Sequence, residues 1–301
     1  MSKTNEPKIT PAEKKPRLSL TSMADLCDEG TAPDWLVEGV MVARQPLVIG
    51  GPAKALKTSL ALDLAVSLAT GTKFLGTFEV PEACDVAVFS GESGRTTINE
   101  TLQRICRSKK KDPKGCAVHC GFTLPRLSDP ADRKELTQQL RAEGIGVVVI
   151  DPLYLCLGSG AAVSASNLYE VGAVLAATAH ACLRANATPV LVHHTNKSAG
   201  AATGTVALVD LAFAGIAEFA RQWLLVGRAA EYQPGSGVHD LVLSVGGSAG
   251  HSSRWSVRVD EGRDAEKRQW SVRVRPNEGA GAGAGQSYPR GGGSLAGING
   301  L

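Results

Sequence analysis

One segment limits the possible folds more than any other: a glycine turn with a lysine, set between an apolar run and a helical pattern. The apolar run covers residues 46–49, the turn reads GPAKALKT over Gly51–Thr58, and leucines recur every four positions over 57–68. A buried strand that leads through a tight turn into a helix is typical of α/β proteins with a parallel sheet. The segment therefore predicts that fold class before any other part of the chain is considered.

The same turn fits the phosphate-binding pattern G-x-x-x-x-G-K-[ST], except that Leu56 stands where the pattern has its second glycine. Backbone N–H groups at the helix start would surround a β-phosphate, Lys57 would neutralise the β- and γ-phosphates, and the Thr58 hydroxyl would coordinate Mg²⁺. Leucine cannot take backbone angles reserved for glycine, so we expect its side chain to point away from the phosphates. The alternative is a helix start that only mimics the pattern. The residues expected to contact a nucleotide are Gly51, Pro52, Ala53, Lys54, Ala55, Leu56, Lys57, Thr58 and Ser59.

Strand and helix patterns continue to alternate after this turn. Apolar strands are predicted at 86–90, 146–150 and 189–192, and helices at 129–144 and 166–185. This alternation predicts a doubly wound, mostly parallel sheet with helices on both faces.

The C-terminal part changes to strands with short turns, predicted at 223–226, 241–245, 255–259 and 270–274. The last two repeat the sequence Trp-Ser-Val-Arg-Val fifteen positions apart, which predicts a β-hairpin around Glu261 and the following glycine. Arginines that alternate with apolar residues are ordinary for the solvent face of an edge strand. A basic face for nucleic acid is the alternative interpretation.

Two acids follow predicted strands. Asp151 ends an apolar strand in the Walker B manner, so its carboxylate would hold a water molecule of the Mg²⁺ shell. Pro152 follows Asp151, so this strand does not supply a catalytic base. Glu92 comes after the strand at 86–90 between two small residues of a Gly-Glu-Ser-Gly turn, where ligands of open α/β sheets collect. We therefore predict Glu92 as the base, with a plain turn carboxylate as the alternative.

A histidine pair ends the strand that follows the Walker B strand. Neighbouring residues of a strand face opposite sides, so His193 and His194 cannot play the same role. We predict that His194 donates a hydrogen bond to the γ-phosphate and reports its presence to the next loop, while His193 is buried in the strand.

Together, the degenerate phosphate loop, the Gly-Glu turn, Val-Ile-Asp-Pro and His-His-Thr-Asn-Lys resemble the RecA-like ATPases, and within them the RepA-type group of hexameric replicative helicases. The resemblance covers residues 35–228. It implies a RecA core that hydrolyses ATP with Mg²⁺, Glu92 as the base, His194 as the γ-phosphate sensor and a ring of subunits. It further implies that an arginine acts in trans on the neighbouring site, and Arg221 matches that position. An alanine-rich helix is expected at 212–220, directly before Arg221, and a cap for that helix is the alternative role of Arg221.

Composition limits the partners and the compartment. The formal charge of +3 comes from residues 1–20, because the rest of the chain holds 27 basic and 27 acidic side chains. Seven cysteines without an apolar leader, and no uncharged apolar stretch of eighteen residues, predict a cytoplasmic protein with reduced thiols and no membrane span. We predict a disordered basic tail at 1–30, an ATPase domain at 31–276 and a glycine-rich disordered tail at 277–301.

The function that the resemblance implies is a motor on single-stranded DNA. Its pore contacts would come from the loops at 158–164 and 197–205, with Lys197 as the basic residue. The near-neutral body instead favours a regulatory ATPase that binds a protein partner without translocation. A small-molecule kinase is a third class, disfavoured because no acceptor-binding insertion is evident.

Overall fold

The computed structural model describes residues 20–28, 30–157, 164, 166–196, 204–264 and 267–277. The chain divides into two compact units, Met1–Asp34 and Trp35–Leu301. The first contains helix α1 (Met23–Asp28), which the sequence did not predict. The Ser22 hydroxyl accepts a hydrogen bond from the Asp25 N–H at 3.1 Å, so a local cap explains this short helix. The disorder predicted for most of the two tails concerns residues outside the described ranges and stays a prediction.

The second unit contains the strands and the remaining helices. Its described strands are β1 (Trp35–Val37), β2 (Met41–Val42), β3 (Leu47–Gly51), β4 (Val86–Ser90), β5 (Val118–Gly121), β6 (Val147–Asp151), β7 (Thr188–His194), β8 (Gln222–Arg228), β9 (Val238–Gly247), β10 (Ser252–Asp260) and β11 (Ser271–Pro276). Its described helices are α2 (Lys57–Thr70), α3 (Arg95–Ser108), α4 (Pro130–Ala142), α5 (Leu153–Cys156), α6 (Leu168–Leu183) and α7 (Ile216–Phe219).

The described residues form a nine-stranded sheet in the order β11-β10-β9-β8-β3-β7-β6-β4-β5. Every neighbouring pair from β8 to β5 is parallel, and every pair from β8 to β11 is antiparallel. β1 and β2 form a separate antiparallel pair. The predicted fold class, a doubly wound and mostly parallel sheet with antiparallel C-terminal strands, is confirmed.

Both faces of the parallel region are covered. Leu47 and Ile49 of β3 belong to an apolar cluster that includes Leu60 of α2, while Val48 belongs to a second cluster with Leu175 of α6. Alternate residues of one strand thus enter two cores, which is why β3 is apolar throughout. Among the described residues, no helix has both the length and the apolar character needed to cross a membrane.

The sequence analysis missed three elements of the parallel region: α3, β5 and the single-turn helix α5. α3 is mostly polar, but Ile98, Leu102 and Ile105 recur at helical spacing on the side that packs against the core, a signal that the sequence analysis overlooked. β5 is four residues long and includes a histidine and a glycine. Apart from the helix expected at 212–220, the predicted strands and helices are present, with bounds that differ by at most three residues; β7, for example, extends through both histidines.

The alanine-rich helix expected at 212–220 is reduced to α7, a single turn. Its predicted first residues instead join the end of β7: Thr195 and Leu211 form a β-bridge, and the Ala212 N–H donates to the His194 carbonyl at 2.9 Å. These bonds hold the segment extended, and Gly215 begins the helix with φ 88°.

The C-terminal hairpin is present, with β10 and β11 antiparallel and β11 at the sheet edge. The exposed arginines on these strands are Arg254, Arg258, Arg273 and Arg275. The prediction was wrong about Trp270, which precedes β11 and is buried. Its indole N–H donates to Asp63 of α2 at 2.6 Å, so it anchors the connection rather than extending the strand.

Candidate active site

The carboxyl ends of β3, β7, β6 and β4 lie side by side at one edge of the sheet. β3 leads directly into the Gly51–Thr58 loop and α2, β6 ends at Asp151, β7 ends at His194, and Glu92 follows β4 by two residues. Ser90 pairs with Asp151 in the register between β4 and β6. Glu92 therefore lies two residues beyond the level of Asp151 along the strand direction. The fold therefore brings the predicted residues of four strands to one crevice.

The loop keeps a left-handed turn despite its leucine, contrary to what the sequence led us to expect. Leu56 has φ 59° and ψ 20°, and Lys54 has φ 61°. The Leu56 side chain packs against the α2 core and thus away from the crevice, as predicted. At position 51 only glycine fits without a shift of the backbone, because a Cβ there would lie 2.5 Å from the Val226 carbonyl oxygen.

Lys57 is almost completely buried at the start of α2. Its Nζ donates to the Pro52 carbonyl at 2.7 Å, across the loop that it closes. Burial lowers the pKa of Lys57 to about 8; Asp151 and Glu92 oppose this shift, and Arg228 adds to it. Because burial has the largest effect on the pKa of Lys57, an incoming anion would stabilise the charged form of this lysine.

Thr58 and Asp151 are in contact, with the threonine hydroxyl hydrogen-bonded to the carboxylate. Burial raises the pKa of Asp151, and the Thr58 hydrogen bond and the Lys57 charge oppose that shift. A hydroxyl and a carboxylate are hard oxygen donors of the kind that Mg²⁺ prefers, and a cation beside Asp151 would offset the cost of its burial. The residues present therefore fit a magnesium site.

Glu92 is exposed to solvent at the mouth of the crevice. Its Oε1 accepts a hydrogen bond of 2.5 Å from the hydroxyl of Tyr154, a residue that the sequence analysis missed. Tyr154 lies three residues after Asp151 on α5, and its ring packs against His194 with 5.6 Å between ring centroids.

The two histidines occupy different environments. His193 is buried, its Nε2 lies 2.8 Å from the Ala212 carbonyl oxygen, and burial lowers its pKa to about 4, so its ring is neutral. His194 is only partly buried and faces Tyr154. Burial and the Lys57 charge lower the pKa of His194, while Glu92 opposes that shift.

Arg228 is a second residue that the sequence analysis missed. It ends β8, the strand beside β3, and its Nη2 donates to the carbonyls of Lys54 at 2.9 Å and Ala53 at 3.3 Å. The guanidinium thus fixes the apex of the loop. The sequence shows only that Arg228 follows a predicted strand at 223–226, and the pairing of that strand with β3 is visible only in the structure.

The structure places Arg221 apart from this crevice. Arg221 directly precedes β8, and Gln222 pairs with Leu47 at the beginning of β3, so Arg221 lies at the opposite edge of the sheet. Within the described ranges, its exposed guanidinium has no hydrogen-bond or ion-pair partner, which gives no support to a helix cap. Lys197, the candidate contact for nucleic acid, lies outside the described residues, as do most residues of both predicted pore loops.

Comparison with known proteins identifies relatives by family and by fold. Residues 12–200 match the AAA_25 family model, described as an AAA domain, and this range contains the loop, both acids and the histidine pair. The chain is similar to the crystal structure of a KaiC-like protein from the hyperthermophilic archaeon Pyrococcus horikoshii, with 14% identity over 81% of this chain and 94% of that chain and a TM-score of 0.52. No curated protein matches the sequence. At this identity, the structural likeness shows the fold alone.

Proposed function

The chain belongs to the AAA domain family and has the fold of RecA-like P-loop ATPases, and from this premise we propose that it binds ATP with Mg²⁺ and hydrolyses the nucleotide. The observation that carries the proposal is the convergence of Lys57, Thr58 and Asp151 at the end of β3 and β6. A buried lysine, a hydroxyl and a buried carboxylate at a helix start are the groups that a magnesium nucleotide requires.

In the proposed mechanism the loop holds the phosphates. Backbone N–H groups of the loop and Lys57 bind the β- and γ-phosphates, and the lysine exchanges the Pro52 carbonyl for a phosphate oxygen. Thr58 would hold Mg²⁺ directly and Asp151 would hold it through a water molecule. When bound, this ion neutralises charge that develops on the phosphate oxygens. Arg228 keeps the loop apex in place through its two carbonyl contacts.

Water activation is assigned to Glu92 and phosphate sensing to His194. The exposed Glu92 carboxylate can accept a proton from a water molecule at the mouth of the crevice. His194, whose lowered pKa favours the neutral ring, keeps one N–H that can donate to the γ-phosphate. Both residues lie at the ends of strands that flank β6, which supports roles for both at the same phosphate.

We further propose that the chain assembles into a homo-oligomeric ring, a hexamer as the resemblance to the RepA-type group implies. In this ring Arg221 would act on the site of the neighbouring subunit. The site and Arg221 lie at opposite edges of one sheet, an arrangement compatible with a head-to-tail interface. Mixed assemblies of Arg221→Ala and Glu92→Gln test this role, because some interfaces would pair an intact Glu92 with an intact Arg221. No recovery of turnover in mixtures shown by mass to co-assemble would overturn it.

The polymer proposed for this motor is single-stranded DNA, with Lys197 among its contacts. A regulatory ATPase that binds a protein partner is the second candidate, and the balance of 27 basic and 27 acidic residues after position 20 favours it. Steady-state ATP turnover with and without single-stranded DNA separates the two. Stimulation by DNA supports the motor, and unchanged turnover supports the switch.

ATP binding itself is tested with Lys57→Ala. Removing the buried cation should weaken the affinity for Mg-ATP by about 100-fold, equivalent to about 2.7 kcal/mol, because the phosphates lose their only buried ammonium partner on the described part of the loop. Lys111→Ala removes the same charge from an exposed position and is the matched control. Equal affinity of both variants in an equilibrium titration would overturn the assignment of the loop.

A further inference from the structure

Tyr154 touches both groups to which the proposed function assigns the chemistry. Its hydroxyl donates to Glu92 Oε1 at 2.5 Å, and its ring packs on His194 with 5.6 Å between centroids and 56° between planes. Glu92 follows β4 and His194 ends β7, the two strands that flank β6, and Tyr154 lies on the turn that follows β6. One side chain therefore bridges the crevice from the candidate base to the candidate sensor.

Packing does not explain this tyrosine. Leu153 and Cys156, on the same helical turn, are fully buried and attach α5 to the apolar core, whereas Tyr154 is only partly buried. A phenylalanine would make the same ring contacts without the hydroxyl. The hydrogen bond to Glu92 raises the pKa of Tyr154, so the phenol keeps its proton and remains a donor at neutral pH.

We propose that Tyr154 is a positioning residue for ATP hydrolysis, which holds Glu92 by one carboxylate oxygen so that the other oxygen faces the attacking water. The inference rests on the proposed function. A free glutamate side chain on an exposed turn samples several rotamers, and fixing it in advance removes that entropy cost from the reaction. The ring contact keeps His194 beside the same carboxylate, which links recognition of the γ-phosphate to the orientation of the base.

The chemical step uses the oxygen of Glu92 that Tyr154 leaves available. The water oxygen forms a bond to the γ-phosphorus while its proton passes to Glu92 Oε2. The bond between the γ-phosphorus and the β–γ bridging oxygen breaks, and its electron pair leaves on ADP. Tyr154 keeps its own proton throughout, so its role is to orient Glu92 and not to transfer a proton.

Tyr154→Phe separates positioning from packing. The kcat for ATP should fall about 10-fold, while KM and the equilibrium affinity for ATP stay within twofold, because the hydroxyl contacts Glu92 and not the nucleotide. Adding Tyr154→Phe to Glu92→Gln should change the residual turnover by less than twofold, since the group to be positioned is already lost. Tyr169→Phe, on a side chain of α6 that is 85% exposed, is the matched control and should leave both constants unchanged.

Three results would overturn the inference: wild-type kcat in Tyr154→Phe, a rise in KM that accounts for the loss, or the same fold loss in the Glu92→Gln background. Tyr154→Leu, which also removes the ring, should lower kcat further because it releases His194. Failure of the proposed function itself is distinguishable, since the wild type would then not hydrolyse ATP. A wild type whose turnover depends on Glu92 but not on Tyr154 would refute the positioning role alone.

Discussion

At Leu56 the chain accepts a conformation that leucine disfavours, and the surrounding contacts explain why. The left-handed turn, with φ 59°, costs a non-glycine residue about 1 kcal/mol. The Leu56 carbonyl accepts the first helical hydrogen bond of α2 from the Leu60 N–H at 2.9 Å, and its side chain packs on the core. Burial of that side chain offsets the backbone cost, so the loop geometry survives without the second glycine.

Paired substitutions at Leu56 test this balance. Leu56→Ala keeps the cost of the left-handed turn and loses the packing, so we expect it to lower the free energy of unfolding by about 2 kcal/mol. Leu56→Gly loses the same packing but removes the backbone cost, and should be about 1 kcal/mol more stable than the alanine variant. The affinity for ATP should stay within threefold in both, because the loop N–H groups remain. Denaturant unfolding that ranked glycine below alanine would contradict this interpretation.

Sequence patterns locate the site residues that follow a strand or belong to a motif. Glu92 and His194 could be predicted because the carboxyl ends of parallel strands meet at one edge. Tyr154 and Arg228 could not, since their partners lie 62 and 174 positions away along the chain, and local periodicity carries no information on such contacts. The residues that adjust the site are therefore visible only in the folded molecule.

Among the elements, the C-terminal hairpin is attached to α3 by a cluster of charges around Glu261. The Glu261 carboxylate lies 2.6 Å from Arg104 Nη2, 2.8 Å from Arg268 Nη2 and 3.2 Å from His239 Nε2. Arg104 is only 2% exposed, so Glu261 neutralises a charge that water cannot reach. The hairpin was predictable from its repeat, but this anchor was not, because Arg104 and Glu261 lie far apart along the chain and only the fold brings them together.

Glu261→Gln should lower the free energy of unfolding by about 3 kcal/mol at pH 7, since it leaves Arg104 buried without its closest anion. Burial alone would raise the pKa of Glu261, but His239, Arg104 and Arg268 outweigh it and hold the pKa below its usual value. The stabilisation is therefore complete above the ordinary glutamate range and is lost as pH falls through the lowered pKa. The difference in the free energy of unfolding between Glu261→Gln and the wild type should therefore become smaller at acid pH.

Glu218→Gln, at an exposed position of α7, is the control for this experiment. Urea unfolding at several pH values measures both variants. The difference in the free energy of unfolding between Glu261→Gln and the wild type is the quantity to follow. If it stayed constant from neutral pH to strong acid, the charge of Glu261 would not stabilise the hairpin.

In the molecule as a whole, the candidate active site and Arg221 lie at opposite edges of the sheet. The carboxyl edge of the parallel strands holds the loop, Asp151, Glu92 and His194, and the other edge carries Arg221. The alternation of strands and helices predicted the sheet type, but the strand order could not be predicted, because it depends on which nonlocal strands pair. The place of β8 beside β3 is one such pairing, and it brings Arg228 to the loop.

Steady-state turnover of Mg-ATP by Glu92→Gln, measured together with ATP binding, tests directly whether this crevice hydrolyses ATP. The variant should bind ATP as the wild type does, since Glu92 is not among the groups that hold the phosphates. Its turnover should fall by about 100-fold or more, because the amide cannot accept a proton from water. Turnover close to wild type would contradict the assignment of the base and of the mechanism built on it.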